Sequence, residues 1–430
     1  MNMEVKLAIL GGRPLRDIKA KPYPHHPFIG EEEIQAVMEV LRTGILSSHR
    51  GTKVMEFEEN ISRYIGVKYA IATCSGVSAL QLALATLGVG PGDEVVVPAY
   101  APTSIIAPIL MQNALPIFTD VDPHTYTIDP NDLKRKITKS TKAVIVVHLF
   151  GMPADMDKIL EVADEHNIFV IEDCSQAHGA MYKDKKVGSM GHIAVFSFSE
   201  DKNMTTGEGG IVVTDDDELA ERVLMLRDHS ETKRVKEYVK RKNRKWPLVN
   251  MLSYNCRMTE LQAAIGIVQL RRLHKNNERR RRIAEAYTKR LEEIIGIDPP
   301  VVPEYAYHVF NIYCAKYEEA EIGISRKLFV EAVRSEGVPL STGYRQPLYK
   351  NPILTMRIAR SKGCPFTCQF NRRLISYSKT MCPVSESLCY RTAIWLPIYP
   401  ELSDSDVDDI MNAIEKVVKC IETLKKTTYF

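Results

Sequence analysis

Between about residues 50 and 230 the chain alternates short β-rich apolar runs with amphipathic segments, the pattern of a mostly parallel sheet covered by helices. The apolar runs Ala70 to Thr73, Glu94 to Pro98, Pro116 to Asp120, Ala143 to His148, Phe169 to Asp173, Ile193 to Ser199 and Gly210 to Thr214 are expected strands. Several are apolar at consecutive positions, as strands buried on both faces should be. Helices are expected at Val77 to Leu87, Met156 to His166 and Asp217 to Arg227, then at Thr259 to Arg272 and, with a basic surface at Arg279 to Arg282, at Asn277 to Ile294. The last element expected is a helix from Ser403 to Leu424, with Ser403 as its N-cap and Asp404, Asp406, Asp408 and Asp409 where the helix dipole favours acids. This organisation predicts an N-terminal arm (1–30), a large domain (31–275) and a small C-terminal domain (276–430).

A length of 430 residues fits such a division at roughly 100 to 200 residues per domain. Hydrophobic residues at 45% and charged residues at 26% exclude a disordered or fibrous chain. With 57 Lys and Arg against 54 Asp and Glu the net charge is +3, so neither nucleic acid nor a membrane is expected as a partner. The basic stretch from Lys233 to Lys245 reads as a solvated loop, because balancing acids elsewhere leave no general basic field. The apolar stretch Val95 to Met111 is broken by Pro98, Pro102 and Pro108, and no membrane span is expected from it. The short run Leu7 to Leu10 and nine cysteines, an odd number, point to a cytoplasmic protein with reduced thiols. Cys364, Cys368, Cys382 and Cys389 cluster late, but their spacing does not match the common zinc pattern. No metal is expected, and Ser361 to Pro383 reads as a specificity insertion containing free thiols. His148 reads as a structural histidine or a substrate contact rather than a metal ligand.

Three places carry candidate chemistry. In Ile171-Glu172-Asp173-Cys174 an apolar strand ends in a carboxylate, and ligands of open α/β sheets bind beyond the carboxyl ends of strands. Asp173 could equally cap the next helix. Lys202 sits in a polar loop bounded by glycines, which suits an amine that forms an imine, although most lysines are solvated surface groups. In Cys74-Ser75-Gly76-Val77-Ser78 a glycine turn leads from strand to helix, where free backbone N–H groups can meet an anion. Together these meet the needs of pyridoxal phosphate (PLP): an anchored phosphate, an acid opposite the pyridine nitrogen and a lysine for the aldehyde.

The stretches Ser75-Gly76-Val77-Ser78-Ala79-Leu80, Gly92-Asp93-Glu94-Val95-Val96-Val97-Pro98, Glu172-Asp173-Cys174-Ser175-Gln176-Ala177-His178-Gly179, Thr205-Thr206-Gly207-Glu208-Gly209-Gly210 and Tyr254-Asn255-Cys256-Arg257-Met258-Thr259-Glu260-Leu261-Gln262-Ala263-Ala264 resemble the signatures of the DegT/StrS family of sugar and cyclitol aminotransferases. The resemblance runs from Gly11-Gly12 to Trp395-Leu396-Pro397. It implies an α/β protein of PLP fold type I, with a seven-stranded, mostly parallel sheet in the large domain and a small α+β domain. It also implies a homodimer with active sites at the subunit interface. Lys202 would then be the imine-forming lysine and proton shuttle, Asp173 the partner of the pyridine nitrogen, and Gln176 a partner of the ring hydroxyl region. Ser197, Gly76 and Val77 would hold the phosphate, joined by Asn255 from the other subunit. Two positions depart from the family pattern. Val77 stands where a threonine is usual, with Ser75 or Ser78 as possible replacements for its hydroxyl. Pro102 stands where an aromatic ring usually stacks, leaving Pro102 or Tyr100 against the cofactor.

The activity expected is transfer of an amino group from L-glutamate or L-glutamine to a keto-sugar or keto-cyclitol, with His308, Tyr344 and Arg345 as candidate substrate contacts. A PLP-dependent dehydratase or aromatising synthase is the alternative. A PLP-fold regulator using the basic loop is a further one, weakened by the imine-forming lysine, which a binding module does not need.

Overall fold

The computed structural model describes residues 6–228, 252–360, 363–371 and 375–427. The basic stretch Lys233 to Lys245 lies outside these residues. Two helices, α1 (Glu31–Thr43) and α2 (Lys53–Ile65), precede the large sheet. Its elements follow in the order β1 (Tyr69–Thr73), α3 (Gly76–Thr86), β2 (Glu94–Pro98), α4 (Ile106–Met111), β3 (Leu115–Thr119), α5 (Pro130–Lys136), β4 (Thr141–Val147), α6 (Met156–His166) and β5 (Phe169–Asp173). The short strands β6 (Met181–Tyr182) and β7 (Lys185–Lys186) intervene before β8 (Ile193–Ser197), β9 (Gly210–Thr214) and α7 (Asp217–Arg227). The seven strands are ordered β1-β9-β8-β5-β4-β2-β3, and only β9 runs antiparallel to its neighbours.

The expected seven-stranded, mostly parallel sheet is therefore present, and its strands lie within two residues of the apolar runs. β2, β3 and β9 are buried at every position, which explains why their apolar residues are consecutive. Parallel strands need crossovers, and the crossovers place the loops after β1, β4 and β5 on one edge of the sheet.

Two expectations about helices are corrected. Thr259 to Arg272 and Asn277 to Ile294 form one helix, α8 (Glu260–Leu291), capped by Thr259 and Gln262 in a reciprocal box. No proline or glycine interrupts Arg272 to Asn277, and Leu273 and Asn277 are both buried, so the chain has no reason to break there. The proposed boundary at 275 and 276 thus falls inside a continuous helix. The closing helix is α10 (Asp404–Lys419), with Ser403 and Asp406 forming the cap, and a separate short helix (Ile421–Thr427) follows Cys420.

The C-terminal region has its own three-stranded sheet, β10 (Ile297–Asp298), β12 (Tyr313–Tyr317) and β13 (Ala393–Leu396), while β11 (Ala306–Tyr307) pairs back onto β6. Helix α9 (Arg326–Ser335) and α10 share an apolar core with this sheet and the start of the chain, through Leu7, Phe329, Val333, Ile394, Ile410 and Ile414. The arm is pinned there by Arg16, whose guanidinium donates to Asp406 at 2.7 Å and Asp409 at 2.9 Å. The described part of the insertion covers the edge strand β3: Tyr377 donates to the Pro116 carbonyl at 3.1 Å, and the Gly92 N–H donates to Asn371 at 3.1 Å.

Candidate active site

Ser75 caps α3, its hydroxyl accepting the Ser78 N–H at 3.1 Å, and the first-turn amides of Gly76 and Val77 face a cavity of about 170 Å³. Position 76 has no room for a side chain. A Cβ there would stand 2.5 Å from the Ser197 Cβ and 2.8 Å from its hydroxyl, so glycine lets the helix start close to the end of β8. Of the two possible replacements for the missing threonine hydroxyl, Ser75 lines the cavity and Ser78 does not, and the two hydroxyls lie 2.9 Å apart in one hydrogen bond.

The cavity is walled by Gly76, Val77 and Ser197 at one end, by Asp173 and Gln176 along the sheet edge, and by Pro102 and Lys202. The structure therefore brings together, with Ser75, eight of the residues singled out in the sequence. Sequence reasoning missed Ser104, Ser175 and Ser199, which also line it. All three stand within two residues of a singled-out position, and that nearness was the available signal.

Asp173 is nearly buried, and its Oδ1 accepts the Ser175 N–H at 3.0 Å. Among the described residues no cationic side chain forms a salt bridge with it. Burial raises its pKa above the ordinary carboxylate value, only partly offset by Ser175 and the more distant Lys202. Gln176 is fixed by accepting the Phe150 N–H at 2.7 Å, and its amide donates to the Tyr344 hydroxyl at 3.3 Å.

Lys202 is only 11% exposed, and its Nζ pairs with Asp201 at 2.8 Å. The loop carrying it is held by three buried amides. Asn203 donates to Asn277 of α8 at 2.9 Å and to the Val309 carbonyl at 3.1 Å, while Asn311 donates to Asn203 and to the Asp201 carbonyl, both at 3.1 Å. Asn277 in turn donates to the His178 carbonyl at 2.7 Å. No sequence motif announced this network, because its members are far apart in the chain.

Five candidates lie elsewhere. Tyr100 is 1% exposed and packs behind the cavity wall against Phe150 and Tyr344, with ring centroids 6.0 and 5.1 Å away. Of the two candidates for the ring face, Pro102 is the one at the cavity. Tyr344 reaches the site through Gln176 alone, and Arg345 is exposed. His308 is buried away from the cavity, stacked on Phe310 with centroids 3.8 Å apart and accepting the Phe310 N–H at 3.0 Å. Burial lowers its pKa to about 3, leaving a neutral structural ring. Asn255 is exposed in an isolated bridge with Asp228 and does not reach the cavity of its own chain.

Among the described residues, one buried group has the composition of a metal site, His148, Glu172 and Cys174. His148 gives its Nε2 to Glu172 at 2.9 Å and accepts the Ala154 N–H on Nδ1 at 3.1 Å. Glu172 also accepts the Gly188, Met190 and Gly191 N–H groups at 2.7 to 2.8 Å. Both residues are occupied, and His148 is structural. The nine cysteines are free thiols.

The donor set fits PLP. The open first turn of α3 suits a phosphate, the under-partnered acid suits a protonated pyridine nitrogen, and the amine of Lys202 opens onto the same cavity.

Comparison with known proteins defines the class. The structure of an aminotransferase from Psychrobacter cryohalolentis superposes with a TM-score of 0.82 at 30% identity, covering 93% of this chain and all of that one. The structure of DesI in the presence of its TDP-sugar product superposes at 0.79 with 26% identity, covering 98% of each chain. SpsC of Bacillus subtilis (strain 168), a spore coat polysaccharide biosynthesis protein, is 35% identical over 91% of this chain and 96% of its own. The DegT/DnrJ/EryC1/StrS aminotransferase family matches residues 27–415, and the chain belongs to it.

Proposed function

We propose that this aminotransferase uses PLP to move an amino group from L-glutamate or L-glutamine to a ketone on a nucleotide-linked sugar or a cyclitol, in the cytoplasm and as a homodimer. One observation carries the reading: Lys202, Asp173 and the open turn of α3 share one cavity. The name of SpsC and the TDP-sugar product held by DesI support a sugar acceptor.

In this reading Gly76, Val77 and Ser197 hold the phosphate, Asp173 holds the proton of the pyridine nitrogen, and Pro102 bounds one face of the ring. Gln176, already locked by Phe150, presents its amide near the ring hydroxyl. Bound PLP supplies an electron sink for the carbon that loses its proton. Lys202 is the base that takes that proton and returns it at the neighbouring carbon. To do so its Nζ must leave Asp201, which in the free chain holds the amine in place. The low exposure of Lys202 keeps the transferred proton from bulk water.

Support for the dimer comes from two surface features. Asn255 is exposed and does not line its own cavity, and the apolar side chains of Ile34, Leu41 and Met55 on α1 and α2 are 46, 54 and 47% exposed. In the dimer Asn255 completes the phosphate site of the other subunit, and the small domain beyond residue 275 bounds the acceptor, with Tyr344 and Arg345 closest. His308, buried as a neutral ring, takes no part.

The test is release of the donor's 2-oxo acid, 2-oxoglutarate from glutamate or 2-oxoglutaramate from glutamine, when purified protein receives PLP, either donor and keto-sugar nucleotides or inososes. A dehydratase releases none, so its absence with every ketone overturns the reading. Mixing Lys202→Ala and Asn255→Ala chains tests the shared site. Hybrid dimers should regain activity that neither variant has alone, and a mixture as inactive as its parts rejects interface sharing.

A further inference from the structure

The motif before α3 and the motif after residue 252 meet at a pair of cysteines to which the proposed chemistry gives no role. Thr73 and Arg257 form an antiparallel bridge, and the Cys74 N–H donates to the Cys256 carbonyl at 2.8 Å. Cys74 and Cys256 are therefore directly opposed beside this bridge, sharing one backbone hydrogen bond while the Cys256 N–H donates to the Arg227 carbonyl at 3.1 Å, and opposed Cα atoms of antiparallel chains stand about 4.5 to 5.5 Å apart. Disulfides span that separation. Each thiol shifts the titration of the other, and the Cys74 Sγ lies 3.2 Å from the Ser78 hydroxyl. Cys74 is half-buried and reachable, whereas Cys256 is buried behind it.

The two sulfurs also differ in readiness to react. The Cys256 hydrogen bond, opposed by burial and aided by Ser78 and Ser75, lowers the Cys74 pKa to about 6. The Cys256 thiol is pushed up, first by Cys74 and then by burial. Burial also pushes up Cys174, Cys314, Cys382 and Cys389. A thiolate beside a protonated thiol is the arrangement of an attacking and a resolving cysteine.

We propose that Cys74 and Cys256 form a reversible oxidation site whose oxidant is a peroxide. The Cys74 thiolate attacks one oxygen of hydrogen peroxide, breaks the O–O bond and gives two electrons to the departing hydroxide, leaving a sulfenic acid on Cys74. The Cys256 sulfur then attacks that sulfenic sulfur. An S–S bond forms, and the sulfenic hydroxyl leaves with the Cys256 proton as water. A dithiol reverses the reaction by exchange. Cys74 immediately precedes the cap of α3 and Cys256 immediately follows Asn255. Drawing the sulfurs to about 2 Å pulls Cys74 from Ser78 and displaces the turn at Gly76. This second consequence rests on the reading of that turn as the phosphate site; the oxidation itself does not.

The test is to treat the intact protein with hydrogen peroxide, block remaining thiols, digest without reduction and identify linked peptides. The expected result is loss of two of the nine thiols, a peptide of Cys74 joined to that of Cys256, and recovery of both thiols with dithiothreitol. In Cys256→Ser the link should vanish while Cys74 is trapped by dimedone as a sulfenic acid. Separate blocking of Cys74 and Cys256, or a link between other cysteines alone, overturns the proposal. PLP affinity of the oxidised protein should fall roughly tenfold, the range of coupling between linked sites. An unchanged affinity beside an observed link rejects the coupling to the phosphate turn and leaves the oxidation site standing.

Discussion

Glu172 and Asp173 are consecutive residues at the end of β5, facing opposite sides of one sheet, and the two sides are finished differently. On the Glu172 side, three backbone N–H groups and His148 converge on the carboxylate. Burial opposes its charge, yet His148 and these amides hold its pKa below the ordinary value. On the Asp173 side, the Ser175 turn is the near donor and burial wins, so the pKa is raised. Burial alone therefore does not set the state of an acid; the number of donors aimed at it does. A carboxylate completed by its own fold is structural, and one left wanting a cation is prepared for a ligand.

The largest effect expected is on turnover. Lys202→Ala should lower it on the order of ten-thousandfold, with the cofactor's visible band lost or removable by dialysis, because no other group takes the proton. Next come the two acids, which sharpen the contrast. Glu172→Gln should destabilise the protein by roughly 3 to 5 kcal/mol in denaturant titration, since it breaks a buried pair with His148. Asp173→Asn should leave the cofactor-free protein at least as stable but lower turnover by about a hundredfold. If Asp173→Asn unfolds the chain while Glu172→Gln spares it, the assignment of the two sides is reversed. Gly76→Ala should cost about 1 to 3 kcal/mol through overlap with Ser197 and weaken retention of the cofactor, read by equilibrium dialysis.

The pH dependence of the cofactor-free protein follows from the same comparison. A raised folded-state pKa means that Asp173 favours folding when protonated, so its contribution is lost as pH rises from the ordinary carboxylate range through the raised value. Glu172 acts in the opposite sense, contributing above the ordinary value and losing that contribution as pH falls through its lowered one. Melting curves of Asp173→Asn should lack the first trend and keep the second. The smallest change is expected from His308→Gln: about 1 kcal/mol of stability from one lost hydrogen bond, and unchanged KM for either substrate. A raised KM would return His308 to the substrate site.

The sheet was legible because apolar runs such as Val95-Val96-Val97 and Val144-Ile145-Val146-Val147 are buried on both faces, and a run of that kind admits few other elements. Asp173 and Gly76 stood out because one ends a strand and the other opens a helix, and Lys202 because it lies in a glycine-bounded loop within a recognisable motif. What stayed hidden depends on distant pairing. Asn203, Asn277 and Asn311 have no local pattern, and only the folded chain brings them to the lysine loop. Tyr100 and Pro102 share one short stretch, and the backbone direction after β2, which sequence spacing does not fix, decides which of them meets the cavity. The break expected between Arg272 and Asn277 rested on a polar stretch, but polar residues on the exposed face of a long helix look the same.

At 1.5 Å per residue, the 32 residues of α8 make a rod about 48 Å long, rooted beside the N-terminal helices and ending under the C-terminal sheet. Asn277 sits midway along that rod and grips both the lysine loop and the strand-end turn at His178. A tilt of the C-terminal half is therefore geared to the position of the reactive amine, with no slack joint between them. Under the proposed function, any closure of the C-terminal region and the placement of the Lys202 amine would be one movement.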